Sequence, residues 1–256
     1  MDLIEAQELS IGYNGKTVAD SLSVQLRAGE LVALLGKNGI GKSTLIRTLC
    51  GELPPLKGSV NIRGVSLDRI PRKRLARELA IVTTESLQAG ALKVREIVSL
   101  GRQPYTGMFG RLNIDDETFV LKSMENTGIA YKANAYFAEL SDGEKQKTML
   151  ARALAQDTDI IILDEPFSFL DVASRVEILA LLRRLAHDKE KGILFSSHDV
   201  SQSLRMSDRV MLFTHDRELI SDTPADLIGS EAVSRLFDVR NVVFSKDQYD
   251  FVIKEK

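Results

Sequence analysis

A single cysteine, Cys50, occurs in 256 residues, so no internal disulfide forms and a reducing compartment fits. Charge of one sign is not in excess either. The formal net charge is -2, which removes any global electrostatic case for nucleic acid as a partner. Nowhere do 18 apolar residues run together, so no segment is expected to span a membrane. The start, "MDLIEAQELS", lacks the basic-then-apolar order of a secretory signal. Internal repeats and low-complexity tracts are also missing. These absences lead to the expectation of a soluble intracellular protein. With 44% hydrophobic residues, the chain has enough apolar surface for one sizeable core, or for a core with a smaller attached domain.

What is present is an alternation of strands and helices. Residues 1–35 alternate in strand fashion, with turns at "YNGK" and "RAGE". "LVALLG", "DIIILDEP" and "GILFSS" are short apolar runs bounded by turn signals, the pattern of buried strands. Helices are expected from about Ser43 to Leu49, Val94 to Leu100, Asp115 to Thr127 and Gly143 to Ala155. A longer one follows, with Val172, Val176, Leu179, Leu182 and Leu185 on its inner face. Buried strands alternating with helices predict an α/β fold with a mainly parallel sheet. The N-terminal strands and a helical block at about 86–156 stand apart from that alternation.

Chemistry enters at "GKNGIGKST", Gly36 to Thr44, which fits G-x-x-x-x-G-K-[ST] between a buried strand and a helix. Gly36, Gly39 and Gly41, with Lys37, Asn38 and Ile40 between them, would let several N–H groups face one oxyanion. The helix N-terminus adds its positive field. Lys42 would reach the β- and γ-phosphates, and Ser43 would ligate Mg²⁺. In "IIILDEP", Asp164 and Glu165 end a buried strand. Alone they would read as acids capping a turn. Beside a phosphate loop they read as a Mg²⁺ partner (Asp164) and a carboxylate that polarises the attacking water (Glu165). His198 follows the strand "ILFSS". It is either a polar loop residue or a donor to the γ-phosphate.

"LSDGEKQKTML" poses a separate question. Ser141 and Glu144 form a capping box, yet Gly143 sits in the first turn, where glycine costs about 1 kcal/mol relative to alanine. A close approach to that backbone is expected.

Together these motifs resemble the ATP-binding subunit of an ABC transporter, over nearly the whole chain. "LSDGEKQ" is similar to the family's LSGGQ signature, with Asp142 and Glu144 in place of glycine and glutamine. "SFLD" is similar to the D-loop, ending at Asp171, and "SSHD" to the switch histidine. Tyr13 matches the aromatic that stacks on adenine, unless it is a surface tyrosine at a strand edge. The resemblance implies a P-loop NTPase core, an N-terminal antiparallel β-subdomain and an inserted helical subdomain, all within one ATPase domain. It also implies a homodimer around two Mg-ATP, with Ser141 and Gly143 of one chain facing the γ-phosphate held by the other.

The implied partners are an integral-membrane permease and, indirectly, a substrate-binding protein. The implied location is peripheral, on the cytoplasmic face of the inner membrane. One motif departs from the pattern. Where a glutamine is usual, the register puts Thr84, a short hydroxyl toward Mg²⁺, with Glu85 beside it and Gln88 too late. "GRQPYTGMFGRL", Gly101 to Leu112, resembles a segment of importers for iron chelates, haem and vitamin B12. The rival readings are an ABC ATPase acting on DNA or ribosomes, which would carry two cassettes or a coiled-coil insert, and a simple P-loop kinase or GTPase. The latter needs neither the signature segment nor His198. Arg72, Lys73 and Arg74 read as a solvated helix face rather than a lipid contact.

Overall fold

The Asn14-Gly15 pair turns the chain with φ of 48° and 77°, the left-handed geometry that a two-residue hairpin turn demands. It joins strand β1 (Asp2–Tyr13) to β2 (Lys16–Arg27), and Tyr13 pairs with Lys16 across the turn. The computed structural model that shows this describes residues 1–83, 91–107, 110–236, 242–246 and 249–253. The chain divides into two compact units, residues 1–69 with 183–256, and residues 70–182.

In the first unit, β1 and β2 are followed by β3 (Leu31–Leu35), helix α1 (Lys42–Leu49), β4 (Lys57–Ile62) and β5 (Val65–Ser66). β2, β1, β4 and β5 make the expected antiparallel N-terminal sheet. The second unit opens with α2 (Arg72–Glu78) and β6 (Leu79–Val82), continues with α3 (Val94–Ser99), α4 (Ile114–Asn126) and α5 (Asp142–Ala155), and then enters β7 (Ile160–Leu163). The boundary between the units falls inside α6 (Val172–Lys189). Back in the first unit come β8 (Gly192–Ser196), α7 (Val200–Met206), β9 (Arg209–Phe213), β10 (Leu219–Asp222), α8 (Pro224–Gly229) and the hairpin β11 (Val242–Ser245) with β12 (Asp250–Ile253). β3 runs parallel to both β8 and β9, and β10 is antiparallel to β9. All five residues of β3 and of β8 are buried, which is why both read as unbroken apolar runs. In the second unit β6 and β7 are parallel.

One local reading is borne out and one needs correction. "RKRLARE" is a full helix, α2; its Arg72, Lys73 and Arg74 are exposed, as a solvated face should be. The inner face of α6 is rotated from the expected one. Val172 and Val176 are 75% and 48% exposed, whereas Ile178, Leu179, Leu181 and Leu182 are buried. The helix therefore packs only from its second turn onward, and a face counted from Val172 starts too early. Thr84, Glu85 and Gln88 lie outside the described residues.

The helical block has its own core, with Val94, Ile97, Val120, Met124, Phe137 and Ala151 among its members. The "GRQPY" segment turns out to be part of that packing. A Cβ on Gly101 would sit 2.3 Å from the carbonyl oxygen of Arg152, so only glycine lets α5 come this near. Arg102, 6% exposed, donates from Nε to Asp116 Oδ1 at 2.8 Å and from an Nη to the Ala155 carbonyl at 2.9 Å. Its guanidinium lies 4.1 Å from the Tyr105 ring centre and 4.3 Å from that of Phe119. Burial alone would raise the Asp116 carboxyl. The Asn113 backbone N–H and Arg102 outweigh it, and the pKa is lowered. Removing one partner of such a buried pair costs about 3–5 kcal/mol. Arg102→Ala is therefore expected to lower the urea unfolding midpoint sharply, and Arg102→Met with Asp116→Leu to lower it less. Equal losses in the single and double variants would show that the ion pair is not what holds this segment.

Candidate functional site

β3 stops at Leu35 and α1 starts at Lys42, so the intervening loop must reverse the chain tightly. Gly36, Gly39 and Gly41 have φ of 155°, 76° and 129°. Space reinforces the demand at two of them. A Cβ on Gly36 would lie 2.9 Å from Phe213 Cβ, and one on Gly41 would lie 2.9 Å from Val18 Cγ1. α1 begins with no side-chain hydrogen bond at its cap and no acid in its first turn. Its positive end is thus left to the loop, the setting that favours an oxyanion. Lys42, 7% exposed, donates from Nζ to the Gly36 carbonyl at 2.8 Å, so its ammonium already lies along the loop backbone. Ser43 is exposed beside it.

Two expected residues lie at the same end of this unit as the loop. Thr44 Oγ1 donates to the Tyr13 hydroxyl at 2.9 Å, which fixes a 39%-exposed ring next to α1. Leu34 pairs with Ser196, and the Ser197 N–H donates to the Leu34 carbonyl at 3.1 Å, so His198 emerges at the same strand end as the loop. It is exposed there. Sequence reasoning missed His215 and Arg217. They line a cavity of about 300 Å³ together with Lys37, Asn38, Gly39 and Ile40. Their signal was slight, two basic residues in a turn after an apolar strand.

In the second unit, the Asp164 N–H donates to the Val82 carbonyl at 2.8 Å, carrying the parallel ladder to the end of β7 and burying Asp164 to 3% exposure. Glu165 follows with φ of 49°. A non-glycine residue there costs about 1–2 kcal/mol, and such strain gathers at functional sites. The turn holds it: the Ser168 N–H and hydroxyl both donate to the Glu165 carbonyl, at 3.3 and 3.1 Å. Asp171 is exposed and accepts from the Ser174 N–H at 2.8 Å and the Ser174 hydroxyl at 2.9 Å. The Ser174 N–H, then its hydroxyl, hold the Asp171 carboxyl below the usual carboxylate range. Asp171 is thus a cap within its own chain.

Ser141 caps α5 in the expected box with Glu144. The Ser141 N–H and hydroxyl donate to Glu144 Oε2 at 2.9 and 3.0 Å, and the Glu144 N–H returns to Ser141 Oγ at 3.3 Å. The Tyr131 hydroxyl donates to Glu144 Oε1 at 2.9 Å, and Lys132 Nζ lies 3.3 Å from the same oxygen. The Ser141 N–H chiefly, with Tyr131, the Ser141 hydroxyl and Lys132, outweighs the opposing effect of burial and brings the Glu144 pKa down to about 2. The question posed by Gly143 finds an answer inside the chain. A Cβ there would lie 3.1 Å from the carbonyl oxygen of Phe169, so the glycine admits the backbone of the "SFLD" loop.

No helix among the described residues is long and apolar enough to cross a membrane. The sequence pattern of the ABC transporter family matches residues 19–168. The achromobactin transport ATP-binding protein of Dickeya dadantii is 36% identical, covering 93% of this chain and 89% of that protein. The ferric enterobactin transport ATP-binding protein of Escherichia coli is 31% identical, covering 94% and 89%. Among solved structures, a chain of an ABC transporter described as of metal-chelate type superposes with a TM-score of 0.80 at 24% identity, covering 98% of this chain and 96% of that one, which shows the shared fold. That fold is the P-loop NTPase arrangement anticipated above, with its antiparallel N-terminal sheet and helical insertion. With the family pattern across more than half of its length and relatives above 30% identity across nearly all of it, the chain belongs to the ABC transporter family, as an ATP-binding subunit whose ATP hydrolysis is coupled to transport.

Proposed function

We propose that this chain powers an importer of iron chelates: ferric siderophores first, with haem and cobalamin as neighbouring substrates. The observation that carries the substrate class is the likeness, over more than 90% of the chain, to ATP-binding proteins of achromobactin and ferric enterobactin transport. Two copies close around two ATP and drive an integral-membrane permease, fed by a substrate-binding protein. The subunit sits peripherally on the cytoplasmic face of the inner membrane. The chain acts as one ATPase domain, with its helical block at about 86–156 inserted in the core.

Within each chain, the loop 36–44 wraps the phosphates, Lys42 pairs with their charge, and Tyr13 stacks on adenine. Glu165 polarises the attacking water and His198 donates to the γ-phosphate. Ser141, Gly143 and Asp171 act across the dimer. Hydroxyl and carboxylate oxygens are the ligands Mg²⁺ favours. Ser43, exposed at the loop, would supply one, Asp164 would hold the ion through water, and Thr84 would offer a short hydroxyl toward it through water. Bound there, the ion would neutralise charge on the β- and γ-phosphates.

The substrate never touches this chain, so the test is transport. The permease that copurifies with the subunit is reconstituted in vesicles with its binding protein and ATP. ATP-dependent uptake of a ferric siderophore, haem or cobalamin is expected. Uptake of sugars or amino acids, with none of these chelates moved, would overturn the assignment.

A further inference from the structure

The carboxylate of Glu144 is divided between two tasks. Oε1 receives the Tyr131 hydroxyl and the Lys132 ammonium, and Oε2 receives both the N–H and the hydroxyl of Ser141. Asp142 is turned aside, 3.4 Å from Lys145. A serine hydroxyl has one proton, and here that proton points at Glu144. What Ser141 shows to an arriving anion is therefore lone pairs, backed by a full negative charge at the head of α5. Glutamine in the same place would reverse this. Its amide oxygen would stay with the two donors Tyr131 and Lys132, which puts its amide nitrogen at the Ser141 end, where it donates to Ser141 Oγ and frees the hydroxyl proton at the cost of the Ser141 N–H bond.

We propose that Glu144, clamped by Tyr131 and Lys132, is a positioning residue that keeps the Ser141 hydroxyl proton from the incoming phosphate and so raises the ATP concentration needed for two chains to close. The inference rests on the reading that Ser141 of one chain meets the γ-phosphate bound by the other. Lys132 moderates the effect by offsetting part of the carboxylate charge. Loss of Lys132 should therefore make closure harder, and loss of the Glu144 charge should make it easier. A cap with only a structural role would give the same sign for both.

The full chain is studied in a Glu165→Gln background, and the ATP concentration for half-maximal dimerisation is read by light scattering. Glu144→Gln is expected to lower that concentration about tenfold, the worth of one hydrogen bond to a charged group. Its melting temperature without nucleotide should fall, because the ionised cap is lost. Lys132→Ala should raise the half-maximal concentration. With Ser141→Ala added, Glu144→Gln should no longer shift it. A Glu144→Gln value unchanged or higher overturns the proposal, even if the melting temperature falls. Ser141→Arg separates the two failures. If it blocks closure while Glu144→Gln shifts nothing, only the role of Glu144 is wrong. If chains carrying it close as readily as the parent, the reading of the signature segment fails, and this inference with it.

Discussion

Glu165→Gln is expected to cut steady-state ATP turnover about 10²- to 10⁴-fold, the range for loss of a general base. ATP binding should persist, because Lys42 and the loop 36–44 are untouched. Glutamine has the length of glutamate and keeps the same backbone, so the turn held by the two Ser168 hydrogen bonds should survive. The variant should then collect as a closed, ATP-loaded dimer, visible by light scattering beside a single-turnover assay. Backbone strain offers a control. At φ of 49°, Glu165→Gly relieves a left-handed conformation that costs a side-chain-bearing residue about 1–2 kcal/mol. That variant should be more stable than the parent and as inactive as Glu165→Gln. Turnover within about twofold of wild type in the glutamine variant would remove Glu165 from the general-base role.

The second large effect concerns two residues in different chains. Lys42→Ala removes the ammonium that lies along the phosphate loop, and Ser141→Arg places a bulky cation at the cap of α5. Each homodimer is expected to lose at least about 10²-fold in turnover, as when a single electrostatic contact to the developing charge is deleted. A locked heterodimer of the two variants behaves differently under the proposed arrangement. Both lesions fall in one composite site, and the other site holds an intact Lys42 and an intact Ser141. Measurable turnover should return. A confirmed heterodimer as inactive as its parents would count against the trans arrangement.

By itself, the sequence determined the elements whose signal is local. The phosphate loop was legible because glycines at fixed offsets, a lysine and a hydroxyl between an apolar strand and a helix serve few other purposes. β3, β7 and β8 were legible as short apolar runs, and Ser141 with Glu144 as a capping box. α7 went unread because a seven-residue helix gives barely two turns of periodicity. The tertiary structure alone decided which atoms meet across long stretches of chain. It gave "GRQPY" a packing role of its own, with Gly101 against Arg152 and the Arg102 guanidinium close to two rings. It brought the Tyr13 hydroxyl to Thr44 and the Phe169 carbonyl to Gly143, and it showed that Tyr131 and Lys132 share the Glu144 carboxylate. Such contacts depend on separations of a few ångströms between residues far apart in sequence. Periodicity reports only which face of an element is buried, and α6 shows that even this fails where a helix leaves the core for its first turn.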